Sequence, residues 1–361
     1  MFVKGGELKK DNIKNILLIQ FGDIGDVVYS FPCARALKET FPAARVVMAV
    51  QKKAEGLVHE CRWADDVIVV DKKKMSLLQL LLYQKKFWIR VRNFQFDLAV
   101  DLRTGSRGAI LAFLSGAHQR IGRYTPVGNI WRARLFSHLV SPKGRKDQYI
   151  AEYYHETLAC YGISTTALNP EINPARNRND AVAHLLQHEN IPQNKPILAV
   201  QPFSLWQYKE WKVDNYIKLI NKVTKSFDIS VIITGSPAET VRARTIVDRC
   251  DTNKVFNLAG LTALDDLPAL LQKACLFLGV DSAGVHIAAA VGTPTVSLYG
   301  PSSSDIWAPK GEKHKVVSSR FPCIPCKETG CGNGMKSCCM NELTVDEVWS
   351  ATNKKLLQFC D

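Results

Sequence analysis

The sequence predicts an α/β protein built as two domains in series, each a parallel sheet flanked by helices. Three observations carry that prediction. Apolar runs of strand length alternate with segments of helical spacing through both halves of the chain. The length, 361 residues, suits two domains better than one core. A polar, proline-bearing, non-periodic stretch, TTALNPEINPARNRND at 165–180, separates the two alternating series and reads as a linker.

Taken in order, NILLIQF (15–21) reads as a strand and VVYSFPCARALKETF (27–41) as a helix. ARVVMAV (44–50), DDVIVVD (65–71) and FDLAVDL (96–102) are further strands, with helical segments at 54–61 and 105–116. QYIAEYYHETLACYGI (148–163) has helical spacing and closes the first domain, expected to span 1–170 with the linker at about 164–180. The second domain is expected over 181–343, although its first strand-like run is PILAVQPF (196–203). Strands at 229–235, 254–260, 275–281 and 293–300 then alternate with helices at 211–227, 237–250, 264–274 and 283–292. A last helix is expected over 344–359. Two such domains imply a cleft where a pair of substrates meets.

Composition narrows the function. Hydrophobic residues make up 46% and charged residues 22%, the balance of a soluble globular enzyme. No apolar run reaches the ~18 residues of a membrane span. The N-terminus lacks the apolar core of a signal peptide, so a cytoplasmic location is expected. The net charge of +13 is lopsided: residues 1–170 carry 26 Lys and Arg against 15 Asp and Glu, whereas 171–361 carry 21 against 19. The first half therefore suits a polyanionic partner. Of eleven cysteines, five fall between Cys323 and Cys339, and the other six read as scattered reduced thiols.

Several segments carry chemistry. In GDIGD (22–26) the glycines are expected to let the strand turn sharply into a helix. Asp26 then sits near that helix's start, either as a cap or, because ligands bind at strand ends in open α/β sheets, as a functional carboxylate. Asp23 reads as a turn residue. In GVDSAGVHIAAAVG (279–292) a buried strand ends in Asp281 and His286 opens an apolar helix. Ser282, Ala283 and Gly284 let backbone N–H groups approach a phosphate. In QPFSLWQYKEW (201–211), Ser204 offers a hydroxyl and Lys209 a point charge for phosphate. Glu239 in GSPAE (235–239) is a weaker match to ribose hydroxyls. Arg103, Arg107, Arg120 and Arg123, with Gly25, are candidates for holding an anionic acceptor. KKKMSLLQLLLYQKKFWIRVRNF (72–94) mixes basic and apolar residues, including Leu77, Leu78, Leu80, Leu81 and Leu82. It reads either as a surface helix for an anionic membrane or as a core-facing helix with a basic rim. Cys323, Cys326, Cys331 and Cys338 have the spacing of a structural zinc site, though a thiol-rich loop or, in an oxidising setting, a disulfide loop fits equally.

Together these segments resemble glycosyltransferase family 9, the ADP-heptose:lipopolysaccharide heptosyltransferases. The anchors are ILLIQFGDIGDVVYSFPCARALKETFP near the N-terminus, YKEWKVDNY in the middle and GVDSAGVHIAAAVGTPTVSLYGP towards the end. The cysteine spacing resembles the heptosyltransferase II and III branches. The resemblance implies a GT-B architecture of two Rossmann-like domains facing across a cleft, with acceptor on the first and nucleotide sugar on the second. It implies that the C-terminal helix, 344–361, packs back on the first domain. It implies inverting transfer of heptose from ADP-L-glycero-D-manno-heptose to the lipopolysaccharide inner core, with Asp26 as base and no required metal. By the same resemblance Lys209 and Ser204 meet the donor phosphates, Glu239 the ribose, and Asp281 and His286 hold the donor turn. The implied location is the inner face of the inner membrane. Two positions depart from the family's habit: Pro202 stands where glycine is frequent, and the donor turn reads Ser282-Ala283-Gly284 rather than Ser-Gly-Pro. A transferase or epimerase for another nucleotide sugar is the alternative, and a zinc-knuckle nucleic-acid-binding protein a distant one.

Overall fold

In the computed structural model the described residues are 2–71, 76–125, 130–142, 145 and 147–360. The chain divides into two compact units, Met1–Glu171 and Ile172–Asp361. The division falls inside the stretch read as a linker. That stretch is not wholly irregular, because a helix, Arg176–His188, already begins within it as part of the second unit.

The first unit holds a seven-stranded sheet. Its strands are β1 (Phe2–Lys4), β2 (Asn15–Gln20), β3 (Arg45–Gln51), β4 (Asp66–Val70), β5 (Leu98–Asp101), β6 (Gln119–Arg123) and β7 (His138–Val140). Their order is β1-β7-β6-β5-β2-β3-β4, parallel except where β1 pairs antiparallel with β7. The second unit holds β8 (Ile197–Gln201), β9 (Ser230–Ile233), β10 (Val255–Asn257), β11 (Leu276–Val280), β12 (Thr295–Tyr299) and β13 (His314–Ser318). Their order is β10-β9-β8-β11-β12-β13, all parallel. Leaving β1 aside, both sheets follow one scheme: the chain starts in the middle, runs to one edge, returns and runs to the other. This is the doubly wound Rossmann arrangement, and ligands bind outside the carboxyl ends of the strands where the order reverses. That point lies between β2 and β5 in the first unit and between β8 and β11 in the second.

The central strands form because their residues are apolar on both faces. Ile16, Leu17, Leu18 and Ile19 of β2 and Leu276, Phe277, Leu278 and Val280 of β11 are all fully buried. Each such side chain stabilises the fold by about 1.5–3 kcal/mol relative to exposure. The predicted 27–41 helix is two helices, Ile24–Val28 and Phe31–Thr40. Ser30 marks the break, donating its hydroxyl to the carbonyl of Val27 at 2.7 Å, and Pro32 opens the second helix.

The terminal helix Val345–Phe359 starts at a capping box: Thr344 Oγ1 accepts the N–H of Glu347 at 3.3 Å and Glu347 Oε2 accepts the N–H of Thr344 at 2.9 Å. Its buried Val348 and Leu356 belong to the core of the second unit, packed near the Val213–Ser226 helix and β11. Its end is tied there covalently, because Cys360 forms a disulfide with Cys275 beside β11, with Cα atoms 5.4 Å apart. The reading of all scattered cysteines as reduced thiols is corrected at this pair, which is 85 residues apart in sequence. Among the described residues, no helix is long and apolar enough to cross a membrane.

Candidate active site

The Asp26 turn follows β2 at the switch point of the first sheet. Asp23 caps the Ile24–Val28 helix, and its own N–H donates to Asp26 Oδ2 at 2.7 Å. Asp26 therefore does cap, but only with one oxygen. Tyr154, on the helix Ile150–Ala159, donates its hydroxyl to Asp26 Oδ1. Arg103, in the loop after β5, pairs with Asp26 Oδ2 at 3.0 Å. Burial works against the Arg103 charge, but Asp26, Tyr154 and Asp23 outweigh it and the guanidinium is held above its usual range. Burial, then the Asp26 charge, pushes the Tyr154 phenol well above its ordinary value, so it remains a donor.

Gly22 is required for space rather than for backbone angle. A Cβ there would collide with Asp26 Oδ2 and lie 2.5 Å from Arg103 Nη1. The expectation that the glycines of GDIGD supply unusual angles is corrected accordingly, since Gly25 lies inside the helix and neither glycine has a positive φ. The turn is also braced by Gln51, whose Nε2 donates to the carbonyls of Phe21 at 2.6 Å and Gly22 at 2.9 Å.

Behind Arg103, a buried arginine positions its loop. Arg132 donates to the carbonyl of Arg103 at 2.7 Å, to that of Arg123 at 2.8 Å and to Asp101 Oδ2 at 3.2 Å. Burial raises the Asp101 carboxyl to about 7, against the pull of Arg132. Two of the arginines expected to meet an acceptor make contacts within the first unit. Arg123 is buried, donates to Tyr153 O and to Thr157 Oγ1 and lies 3.5 Å from the centre of the Tyr153 ring. Arg120 donates to the carbonyls of Leu135 at 2.7 Å and Ala117 at 2.6 Å. Arg107 is exposed on the first turn of the helix Ser106–Leu114.

The second unit repeats the placement. Asp281 follows β11, and Lys209 reaches it from the loop after β8 at 2.6 Å. His286 Nε2 lies 3.7 Å from the other Asp281 oxygen. Burial works to raise the Asp281 carboxyl, but Lys209, His286 and a hydrogen bond from Ser302 outweigh it, leaving it below the usual carboxylate range. The helix Ala283–Ala290 starts at Ser282, whose hydroxyl is buried without a partner, as is Gln201 Oε1. Gly284 permits this approach, because a Cβ there would collide with Gln201 Oε1. The unmatched Ser282 hydroxyl at the helix N-terminus suits an anionic ligand, and Gln201 Oε1 suits a hydrogen-bond donor of that ligand.

The Ser204 loop is fixed by two residues that sequence reading missed. Glu210 Oε1 accepts the N–H of Ser204 at 3.1 Å, and Arg242 donates to the same oxygen at 3.1 Å while lying 4.2 Å over the Phe203 ring. Ser204 Oγ accepts the N–H of Trp206 at 3.2 Å, which leaves its proton available to a ligand. Glu239 Oε2 accepts the N–H of Ser236 at 2.6 Å, a local cap.

The zinc expectation does not fit the donor set. Among the described residues no three or more His, Cys, Asp or Glu side chains gather as metal ligands. Cys323, Cys331 and Cys338 are exposed, and Cys331 Sγ accepts the N–H of Cys338 at 3.4 Å. The loop is anchored instead by Cys339 and Met340, which enter the core.

Comparison with known proteins finds a family and a shared fold. Residues 84–336 match the model of glycosyltransferase family 9 (heptosyltransferase). The lipopolysaccharide heptosyltransferase 3 of Escherichia coli is 27% identical over 294 residues, covering 79% of this chain and 83% of the relative. The glycosyl transferase family 9 structure from Veillonella parvula superposes with a TM-score of 0.82 at 18% identity, over 98% of this chain and 99% of that one. The E. coli ADP-heptose lps heptosyltransferase II gives a TM-score of 0.76 at 20% identity, over 95% and 99%. The fold is thus the GT-B pairing of two Rossmann-like domains. On the strength of the family match over most of its length, the chain belongs to glycosyltransferase family 9 and is a glycosyltransferase.

Proposed function

We propose that the enzyme transfers a heptose from ADP-L-glycero-D-manno-heptose to the inner core of lipopolysaccharide, with inversion, at the inner face of the inner membrane. The observation that carries this reading is the repeated placement: Asp26 with Tyr154 and Arg103 at one switch point, Lys209 with Asp281 and His286 at the other. The names of the relatives, lipopolysaccharide heptosyltransferases, support the sugar and the acceptor.

In this mechanism the Asp26 carboxylate takes the proton of an acceptor hydroxyl. The oxygen attacks the anomeric carbon as the bond to the diphosphate breaks, and the electron pair leaves with the nucleotide. Lys209, the Ser204 hydroxyl and the N–H groups at the start of the Ala283–Ala290 helix stabilise the charge on the leaving phosphate. Tyr154 orients Asp26, and Arg103 offers positive charge to an acceptor phosphate or carboxylate. Arg107 and Gly25 complete the acceptor side. Glu239 keeps one oxygen for the ribose. No metal is assigned to the reaction, because lysine, hydroxyl and helix N–H groups already address the diphosphate.

The test is a donor panel with truncated lipopolysaccharide acceptors of graded length. Transfer from ADP-heptose with inverted anomeric configuration is expected. An epimerised nucleotide sugar with no acceptor consumed would favour the alternative enzyme. Binding of random oligonucleotides without transfer would favour the nucleic-acid reading.

A further inference from the structure

The helix Leu77–Asn93 has its apolar residues on two sides. Phe87, Trp88 and Val91 turn towards the sheet and pack with its core. Leu82 and Ile89, seven positions apart and so on one stripe, are 53% and 52% exposed. Lys85, Lys86 and Arg90, also exposed, lie along the same stripe. The helix is therefore core-facing on one side and carries Leu82 and Ile89 within a cationic outer face. Lys72, Lys73, Lys74 and Met75 lie outside the described residues, as do the side chains of Leu77, Leu78, Leu80 and Leu81. In sequence, 72–96 contains seven Lys and Arg and no Asp or Glu.

The helix borders an open groove of about 670 Å³. Arg45, Lys86 and Arg90 line it against one carboxylate among the lining residues, Asp66, which Arg45 already holds at 2.7 Å. The groove includes Asn15 and Arg45, at the amino ends of β2 and β3, whereas the Asp26 turn follows the carboxyl end of β2. The helix Ser106–Leu114 also exposes Ile110 and Phe113, and the Arg92 side chain reaches Gly116 beyond its end.

We propose that the exposed stripe of the Leu77–Asn93 helix docks the enzyme on an anionic phospholipid surface, with Leu82 and Ile89 entering the headgroup boundary and the Lys86–Arg90 groove receiving a lipid phosphate. Apolar residues flanked by lysine and arginine are what such a surface binds, and no carboxylate of the helix opposes the contact. The inference rests on the heptosyltransferase reading only in treating the acceptor as lipid-anchored. It identifies which element brings the enzyme to that acceptor, at the end of the sheet remote from the chemistry.

The test is flotation of the full-length enzyme with phosphatidylcholine vesicles, with and without phosphatidylglycerol, beside Lys85→Gln/Lys86→Gln and Leu82→Ser/Ile89→Ser. The wild type is expected to bind the anionic vesicles at least about tenfold more strongly than the neutral ones, and less as salt rises from about 0.1 M to about 1 M. Each double variant is expected to lose about tenfold in vesicle binding while keeping its rate on a lipid-free, water-soluble core oligosaccharide. Equal binding to neutral vesicles, or variants that bind like the wild type, would overturn the proposal. So would a wild-type dimer that Leu82→Ser/Ile89→Ser converts to monomer without lipid, since the stripe would then serve a second copy of the chain. The vesicle assay contains neither donor nor acceptor. Its failure falls on the docking face alone, and failure of transfer to the soluble acceptor falls on the assigned reaction.

Discussion

Tyr154 and Asp26, 128 residues apart, meet through a hydrogen bond from the phenol to the carboxylate inside the first unit. The bond aims one oxygen of Asp26 while the other is fixed by the Asp23 N–H and Arg103. Replacing Tyr154 by Phe keeps the ring, which packs edge-on against Tyr153. The expected result is a fall in kcat of roughly tenfold with little change in the donor KM, the signature of a residue that positions the base. Because burial and Asp26 hold this phenol well above its usual range, the wild-type rate should show no alkaline limb from a phenol near ~10.

Gly22→Ala tests the close approach directly. The added methyl group would collide with the Asp26 carboxylate and the Arg103 guanidinium and force both from their places. Their displacement is expected to cost about a hundredfold in kcat, while thermal unfolding moves little. Unchanged kinetics in a folded variant would show that the crowding at this turn is irrelevant to turnover.

In the second unit, Asp281→Ala leaves Lys209 without its partner. Fully buried pairs cost ~3–5 kcal/mol when broken, and Lys209 keeps some water, so a loss of about 2 kcal/mol is expected. Lys209→Met is expected to raise the donor KM more than it lowers stability. The Asp281 carboxyl lies below its unfolded value, so its contribution is complete above that value, ~3.9, and is lost as pH falls through the lower native one. Urea titrations of wild type and Asp281→Asn should therefore converge on acidification.

His314 supplies a stability test away from the chemistry. Its ring, bonded to Thr295 Oγ1 at 3.0 Å, is held down to about 4 by burial and by the nearby Lys355 and Lys313. The unfolded chain binds a proton near ~6.5 that the native protein refuses, so stability should fall as pH drops from about 6.5 to about 4. His314→Gln should remove that part of the slope in equilibrium unfolding, whatever its effect on stability at neutral pH.

These predictions draw unequally on what the sequence already displayed. The buried central strands were legible because a short, unbroken apolar run bounded by glycine or aspartate fits a strand covered on both faces. Asp26, Lys209, Asp281 and His286 were legible because each follows such a run. β6 and β7 were not, since QRIGR and HLV are too short and too polar to stand out. The protein contacts of Arg120 and Arg123 were not legible because sequence does not say whether an arginine on a short strand reaches solvent or folds back on carbonyls. Tyr154 gave no signal at all: on an amphipathic helix it looks like a packing residue, and only the fold brings it to Asp26. The Cys275–Cys360 bond was hidden in the same way, by a separation that the packing of the terminal helix closes.

The central claim is that the Asp26 carboxylate is the base for sugar transfer. It is tested most directly by single-turnover transfer from ADP-heptose to a truncated lipopolysaccharide acceptor, comparing wild type with Asp26→Asn at matched donor occupancy. Asparagine preserves the size of the side chain and the acceptor oxygen that a cap needs, but it cannot take a proton. A rate loss of at least about a hundredfold with donor binding intact is the predicted result. A variant that transfers heptose at the wild-type rate would contradict the account.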